Sequence, residues 1–345
     1  MSAVPNKTTT LLWALRSPCD LGCPHCYFGV LEQDRIAPPT QPGKLTHLPG
    51  GDAPLPVLLD FLADVGDSGV ARVFLAGGEP LNWPPIQHII TALTTAGVQV
   101  VVCTNGRPLT RPNVRKMLFD TGVHAVSVSL DSADPVINDR QRPPRGNQTG
   151  SWNRVVAGIS ALLAERGDRS MKVGIYSVLT RRTLAGMPDT ARFAAGLGVD
   201  YFVAQPVALE PGHELSDELV LREQDVPLLE EVFDEITTSE LGMTLPDHRY
   251  PAQVVSTVRH RLQDKPGCFG GHQLVFVEPD GSVWDCPSGD MIAAQAAAGT
   301  QRTIIGHTAA ELFAPTAAVM DCPLFSSDCV NMNPLMEFDR ILGAS

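Results

Sequence analysis

The run Cys19-Asp20-Leu21-Gly22-Cys23-Pro24-His25-Cys26 places three cysteines within eight residues, in the spacing C-x3-C-x2-C. Three thiolates bind three irons of a [4Fe–4S] cube and leave the fourth iron open, whereas a structural cluster normally takes four cysteines. An open iron is a place where a ligand binds. Two alternatives remain at this point: a zinc site, for which His25 is the nearby candidate as a fourth ligand, and a chance grouping of buried thiols.

The chain on both sides of this loop predicts a repeating α/β fold. Thr9–Arg16 is a mostly apolar run that predicts a first strand, and the cysteine loop follows it directly. Amphipathic helices are predicted near residues 55–65, 86–95, 113–120, 152–163 and 225–237. The later strands are predicted at Arg72–Ala76, Val98–Thr104, Ala125–Leu130, Lys172–Leu179 and Tyr201–Val207. Strands that alternate with helices predict parallel βαβ units, and six of them predict a partial (β/α)6 TIM-like barrel.

The repeat ends after Pro206, and cysteines and glycines punctuate the chain from Cys268 onward. We therefore predict two domains, a catalytic barrel over residues 1–244 and a small Cys-rich extension over residues 245–345. Glu278-Pro279-Asp280-Gly281 predicts a hairpin turn within the extension.

Composition excludes several classes of protein. Hydrophobic residues make up 43% of the 345 residues and charged residues 19%, which is typical of a folded domain. The net charge of −12 opposes binding to nucleic acid. No apolar run is long enough to span a membrane, and no secretion signal precedes the first strand. We expect a cytoplasmic protein, in which reduced cysteines serve as metal ligands or core residues.

The cysteine loop after the first strand of a βα barrel resembles the radical S-adenosylmethionine superfamily, and the resemblance covers roughly residues 9–210. Gly77-Gly78-Glu79-Pro80 resembles the family's GGEP motif, whose backbone groups meet the amino end of the cofactor's methionine part. Paired glycines would allow this close approach because a Cβ would keep the ligand away. On this interpretation, valine at Gly78 weakens cofactor binding and leaves the cluster content normal.

The fourth predicted strand carries Ser127, Ser129 and Asp131 on one face. The resemblance implies that this face contacts the ribose and the methionine carboxylate of the cofactor. Residues 138–142 resemble the family's H-D-x-x-R stretch, with Asn138 in place of histidine, so Arg142 is implied to bind the carboxylate. The alternative for Arg142 is a solvated loop charge.

Other positions carry weaker signals. Asn105 follows the third strand in a family-like Thr-Asn-Gly, and His25 occupies a variable position of the cluster loop that is implied to pack near the adenine. Cys103 lies in an apolar run and is interpreted as a small buried hydrophobe. Tyr176 and Gln205 either face the barrel lumen and substrate or are satisfied within the core.

The C-terminal cysteines resemble the SPASM and twitch extensions, which bind auxiliary [4Fe–4S] clusters. Their spacing begins with Cys268 and the Gly281-x4-Cys286 pattern. A full SPASM domain has seven cysteines, whereas four suffice for the single cluster of a twitch domain. The alternatives are a structural Zn(Cys)4 site, a partial site, or unrelated thiols. The predicted auxiliary ligands are Cys268, Cys286, Cys322 and Cys329.

The resemblance implies an oxidoreductase that cleaves S-adenosylmethionine reductively to a 5′-deoxyadenosyl radical, with which it abstracts hydrogen from a substrate. We favour a ribosomally made peptide that is oxidised or cross-linked. The alternatives are an aminocyclitol, sugar or nucleoside in natural-product biosynthesis, or a non-catalytic iron–sulfur or zinc protein. Expected partners are an electron donor such as flavodoxin or ferredoxin and a separate leader-peptide-binding protein, because eighteen residues before Cys19 leave no room for a leader-binding domain.

Overall fold

A computed structural model of the chain describes residues 9–26, 51–146, 150–207, 209, 213–259, 274–285, 302–314 and 336–343. The cluster loop and the six predicted barrel strands lie within these ranges. The four predicted auxiliary ligands Cys268, Cys286, Cys322 and Cys329 lie outside them.

Six parallel strands form an open, partial (β/α)6 barrel, which confirms the predicted fold class. They follow one another across the sheet in the order β6-β5-β4-β3-β2-β1, and every neighbouring pair is parallel. The strands are β1 (Thr9–Arg16), β2 (Val70–Gly77), β3 (Gln99–Thr104), β4 (Ala125–Ser129), β5 (Lys172–Leu179) and β6 (Tyr201–Pro206).

Helices cover the outer face of this sheet. Helix α2 shows why they do so, since Ile86, Ile89, Ile90 and Leu93 are all buried and recur at helical spacing on one side. None of the described helices has the length and apolar character that a membrane span requires. The helices up to the end of the barrel are α1 (Leu55–Phe61), α2 (Ile86–Thr95), α3 (Pro112–Asp120), α4 (Pro135–Gln141), α5 (Trp152–Arg166), α6 (Met187–Leu197), α7 (Ser216–Leu219), α8 (Val226–Thr238) and α9 (Tyr250–Val258).

Three further strands extend the sheet at the β1 edge. Strand β7 (Leu274–Val277) pairs in parallel with β1, and β8 (Ser282–Trp284) and β9 (Arg302–Thr303) continue it in antiparallel fashion. The predicted hairpin is confirmed, because Gly281 closes the turn at a φ of 92° and donates its N–H to Glu278 O at 2.9 Å. The sheet is thus continuous between the two predicted domains, and a boundary at residue 245 stays a prediction.

The C-terminal helices pack back against the barrel. Helix α10 (Ala309–Leu312) precedes α11 (Phe338–Leu342), whose Phe338 ring contacts Phe74 and Tyr201 at centroid distances of 4.7 and 5.6 Å. Asp339 pairs with Arg72, near the beginning of β2, at 2.7 Å. Helix α11 therefore lies toward the N-terminal ends of the strands, and the opposite ends carry the loops described next.

Candidate active site

The cluster loop leaves β1 at the carboxyl end of the sheet, where it is anchored by a residue that sequence reasoning missed. Asp52, just before α1, accepts hydrogen bonds from both the N–H and the hydroxyl of Ser17, and its Oδ2 lies 3.2 Å from Arg16 Nε. All three residues are buried. Asp52 lies 33 positions along the chain from Cys19, so the sequence pattern carried no signal of this contact.

A second anchor holds the loop from the side of β3. Asp20 accepts hydrogen bonds from Asn105 Nδ2 at 2.7 Å and from Arg107 Nη1 at 2.8 Å. Arg107 also donates to the Asp20 carbonyl at 3.0 Å. The predicted residue Asn105 thus contacts the cluster loop directly, whereas Asp20 and Arg107 were not predicted as site residues.

The segment that follows α4 completes the frame. Gly22 donates its N–H to Pro143 O at 2.8 Å, and Arg145 Nε donates to Leu21 O at 2.9 Å. Leu21 and Pro144 form an isolated antiparallel bridge. The loop is therefore fixed on three sides by backbone and side-chain bonds.

The donor set of the loop fits an iron–sulfur cluster. Cys19, Cys23 and Cys26 are partly exposed, and soft thiolates are the preferred ligands of such clusters. Burial first, and then the nearby Cys23, Asp20 and Glu79, raise the pKa of Cys19 well above its usual range. Because a thiol must be deprotonated to bind a metal, metal binding at Cys19 would release this proton.

Two donors already point at the Cys19 sulfur. Leu21 N lies 3.5 Å and Asn105 Nδ2 3.9 Å from Sγ, and hydrogen bonds to ligand sulfurs tune the reduction potential of a cluster. Among the described residues, no three His, Cys, Asp or Glu side chains converge on a single metal ion. The thiolates of a cube each bind a different iron and do not need to converge.

The GGEP loop follows β2 and lies against the beginning of the cluster loop. Gly78 N donates to Arg16 O at 2.6 Å and Glu79 N donates to Pro18 O at 2.8 Å. A Cβ on Gly78 would lie 2.0 Å from Pro18 O, and one on Gly77 would lie 2.4 Å from Arg16 O. The structure thus gives a different reason for the paired glycines from the one expected: the backbone of the cluster loop occupies the space that a Cβ would need.

Glu79 ties the GGEP loop to the loop after β3. Its carboxylate is fully buried and accepts hydrogen bonds from Leu81 N, Thr104 Oγ1 and Asn105 N at 3.0, 2.8 and 2.7 Å. Burial raises the pKa of Glu79 to about 8, and these donors act in the opposite direction. Pro80 begins the short 3-10 helix Pro80–Asn82 that Glu79 caps. The side chain of Glu79 is thus a bridge between two site loops.

Asp131, just after β4, and Arg142, just after α4, form a buried ion pair. Arg142 donates to Asp131 from Nε at 2.7 Å and from Nη2 at 2.9 Å, in the side-on bidentate geometry. Asp131 Oδ1 also accepts the N–H of Val178 at 2.8 Å. Arg142 is therefore buried and not a solvated loop charge, and two of its nitrogens already serve a protein carboxylate. Binding of a cofactor carboxylate by Arg142 stays a prediction.

His25 projects from the cluster loop toward this ion pair. Its Nε2 lies 3.7 Å from Asp131 Oδ2, and its Nδ1 is buried without a hydrogen-bond partner among the described residues. Burial lowers the pKa of His25 to about 4, so the imidazole is neutral at pH 7. The structure thus brings His25, Asp131 and Arg142 together, as members of one polar cluster beside the cysteines.

The remaining predicted residues lie on the inner face of the sheet. Ser127 is buried and its hydroxyl lies 2.5 Å from Tyr201 Oη. Ser129, two residues further along β4 and the last residue of that strand, is partly exposed. Tyr176 donates to Gln205 and lies 3.4 Å from Met336 Sδ. Ser129 is thus better placed than Ser127 to meet a ligand, and the other two side chains satisfy each other.

Comparison with known proteins places this geometry in a family. A family model described as the radical SAM superfamily matches residues 18–194, slightly more than half of the chain. The AdoMet-dependent heme synthase of Methanosarcina barkeri is 28% identical over 301 residues, which covers 83% of this chain and 78% of that protein. The mycofactocin maturase MftC of Mycobacterium tuberculosis is 26% identical over 278 residues, which covers 80% of this chain and 64% of that protein.

The fold also matches a solved structure. The crystal structure of Streptococcus suis SuiB bound to precursor peptide SuiA aligns with a TM-score of 0.61 at 18% identity. The alignment covers 93% of this chain and 66% of the SuiB chain. At this identity the likeness shows a common fold.

Proposed function

Because the chain belongs to the radical S-adenosylmethionine superfamily, we propose that Cys19, Cys23 and Cys26 hold a [4Fe–4S] cluster whose open iron binds S-adenosylmethionine. When bound and reduced by one electron, S-adenosylmethionine would yield methionine and a 5′-deoxyadenosyl radical, the species that would remove a hydrogen atom from the substrate. One observation carries the proposal: direct hydrogen bonds join the cysteine loop to the GGEP loop and to the segment after α4, at the carboxyl ends of the strands.

The chain's own residues would divide the work of holding the cofactor. In the GGEP loop the N–H groups of Gly78 and Glu79 are taken up by the cluster loop. The carbonyl oxygens of this loop are then the groups left to bind a ligand. They suit the amino end of the methionine part, which is a hydrogen-bond donor and needs acceptors. Gly77, Gly78, Glu79 and Pro80 would therefore hold that end of the cofactor.

The end of β4 would hold the opposite side. Asp131, oriented by its two bonds from Arg142, is an acceptor suited to ribose hydroxyls, and Ser129 is a partly exposed hydroxyl on the same face. Burial lowers the pKa of Arg142, but attraction to Asp131 and to the Cys23 thiol raises it by more, so the guanidinium stays charged. Ser127 would join this surface only if its bond to Tyr201 opened.

A second cluster is part of the proposal. Cys268, Cys286, Cys322 and Cys329 would bind an auxiliary [4Fe–4S] cluster of the twitch or SPASM kind, with a zinc site as the alternative. Strands β7 and β8 support this proposal indirectly, because they continue the barrel sheet and the turn between them contains Gly281 of the G-x4-C pattern.

The substrate we propose is a ribosomally made peptide, which the enzyme oxidises or cross-links. The support is a common fold with SuiB, whose crystal structure contains the precursor peptide SuiA. An electron donor such as flavodoxin or ferredoxin and a separate leader-peptide-binding protein would assist. The similarity to AdoMet-dependent heme synthase supports a second candidate, a reaction in heme synthesis, and a sugar or nucleoside is the remaining small-molecule alternative.

The test is an anaerobic assay of the reconstituted chain with S-adenosylmethionine, a reductant and one candidate substrate at a time. Liquid chromatography measures 5′-deoxyadenosine, and mass spectrometry measures the substrate. The proposal predicts that a peptide raises 5′-deoxyadenosine formation and loses two hydrogens. Stimulation by a heme precursor or a sugar and not by any peptide would replace the substrate class, and no cleavage under any condition would contradict the activity.

A further inference from the structure

The inner face of the sheet borders a lumen whose lower half is filled by side chains. Strand pairing places Gly174 opposite Tyr201, and a Cβ on Gly174 would overlap the Tyr201 ring. The ring therefore lies over β5, where Ser127 contacts its hydroxyl at 2.5 Å and Phe338 of α11 packs against it. A ligand inside the barrel is thus confined to the half of the lumen at the carboxyl ends of the strands.

This upper half of the lumen is accessible, and the strands that line it on one side carry no charge there. Side chains alternate between the two faces of a strand, so the register identifies those that face inward. From the level of Tyr201 to the carboxyl ends, no inward-facing residue of β3, β4, β5 or β6 is charged. An unpaired charge on a ligand would therefore lack compensation from these strands. The partly exposed residues of this surface are Cys103, Ser129, Tyr176, Val178 and Gln205.

The side chain of Gln205 has hydrogen-bond donors left for a ligand. Tyr176 donates its hydroxyl hydrogen to Gln205 Oε1, and Met336 Sδ lies 3.4 Å from the same hydroxyl. The Nε2 group of Gln205 makes no hydrogen bond within the part of the chain that the structure describes. A ligand that displaced water from this surface without accepting from Nε2 would leave those donors unmet, which costs free energy. Gln205 therefore offers donors, in an orientation set by Tyr176, to an acceptor on a ligand.

We propose that Gln205, oriented by Tyr176, donates a hydrogen bond to the carbonyl oxygen of an uncharged residue of a peptide substrate. The inference rests on the proposed function and narrows the substrate class at the same site. The donor requires an acceptor oxygen, and the uncharged inner face favours the neutral oxygen of an amide over that of a carboxylate. A heme precursor, whose polar groups are carboxylates, matches this surface less well.

The experiment uses blocked tripeptides, acetyl-Gly-Xaa-Gly-amide, as probes of the reconstituted enzyme. Liquid chromatography measures the 5′-deoxyadenosine that forms anaerobically with S-adenosylmethionine and a reductant, and kcat/KM is determined for each peptide. The peptides with Xaa as Asn and Asp, or as Gln and Glu, differ in charge at almost equal size. Wild type should prefer the amide member of each pair by about tenfold or more, as the gain of one buried hydrogen bond and the absence of a buried charge require.

Gln205→Glu separates recognition from a structural role. The carboxylate still accepts from Tyr176, but it offers no donor and adds a negative charge, so the variant should prefer Xaa as Lys over Xaa as Gln. A purely structural role would lower activity with all peptides alike. Tyr176→Phe should raise KM for the amide peptides more than it lowers kcat, because Gln205 loses its orientation. The matched control is Gln87→Glu, the same change at an exposed position of α2, which should keep the wild-type preferences.

The outcomes separate this inference from the proposed function. If wild type uses the amide and the acid peptides equally, or if Gln205→Glu keeps the wild-type preferences, the role of Gln205 is wrong while the proposed function stands. If a heme precursor stimulates cleavage and no tripeptide does, or if nothing stimulates it, the inference is wrong together with the peptide substrate, and the cleavage activity stands. If wild type cleaves no S-adenosylmethionine under any condition, the proposed function itself is wrong.

Discussion

Replacement of Gly78 by alanine should damage the iron site and not only the affinity for the cofactor. The added Cβ would lie 2.0 Å from Pro18 O, 2.4 Å from Ser17 O and 2.5 Å from Pro18 C. To reach an ordinary contact of 3.4 Å, the Pro18 carbonyl must retreat by about 1.4 Å. These atoms are backbone, so no side-chain rotation relieves the clash, and the next residue is Cys19.

The structure sets the size of the effect. Overpacking typically costs about 1–3 kcal/mol, and loss of the buried bond from Glu79 N to Pro18 O adds about 1–3 kcal/mol, so the total is about 2–6 kcal/mol. This is a large part of the stability of a typical domain, about 5–15 kcal/mol. The strain falls on the residues that lead into the cysteine loop, so the loop should shift away from its ligand geometry.

Iron and sulfide counts after anaerobic reconstitution, together with thermal denaturation, measure the result. Gly78→Ala should lose iron from the Cys19 site and melt at a lower temperature than wild type. Gly196→Ala is the control, because Gly196 is an exposed position of α6 with no atom within 4 Å of an added Cβ. A Gly78→Ala variant with full iron content, a normal melting temperature and only weaker cofactor binding would refute this reasoning. That result would mean that Gly78 makes room for the ligand and not for the cluster loop.

Three other predictions concern buried charges and the second cluster. Asp131→Asn should lower the free energy of unfolding by about 3–5 kcal/mol in chemical denaturation, because it leaves the buried Arg142 without its counter-charge; a loss below about 1 kcal/mol would contradict the pairing. Glu79→Gln should cost about 1–3 kcal/mol, since an amide nitrogen cannot accept from the donors that the carboxylate binds. Burial raises the pKa of Glu79 from 4.5 to about 8 in the folded state. The contribution of Glu79 to the stability of wild type therefore falls as the pH rises from about 4.5 to about 8, and the Gln variant should not show this fall. Reconstituted wild type should hold about eight irons per chain, and about four irons with one zinc would replace the auxiliary cluster at Cys268, Cys286, Cys322 and Cys329 by a structural zinc site.

The sequence was sufficient to predict the six barrel strands because each strand is a local apolar run between turn signals. Strand β5 was predicted with the bounds observed, Lys172–Leu179, and β4 ended one residue earlier than predicted. Strand β7 was not predicted to join the barrel. Its four residues pair with β1 across more than 250 positions of the chain, and no local pattern records such a pairing.

The anchors of the site were also out of reach of sequence reasoning. Asp52 lies in a segment without a motif, and Arg107 follows the Thr-Asn-Gly stretch without being part of it. Their importance appears only when the fold brings them to Ser17 and Asp20. The partnership of Asp131 with Arg142 was missed for a related reason. Both residues were recognised, but a pattern of residue types does not tell whether two opposite charges serve a ligand or each other.

The most direct test of the central claim is the cleavage of S-adenosylmethionine by a chain in which Cys19, Cys23 and Cys26 are all replaced by alanine. Each thiolate is proposed to bind one iron of the reactive cluster. The account predicts that anaerobically reconstituted wild type forms 5′-deoxyadenosine with a reductant, and that the triple variant forms none while it remains folded by circular dichroism. Formation of 5′-deoxyadenosine at the wild-type rate by the triple variant would contradict the account.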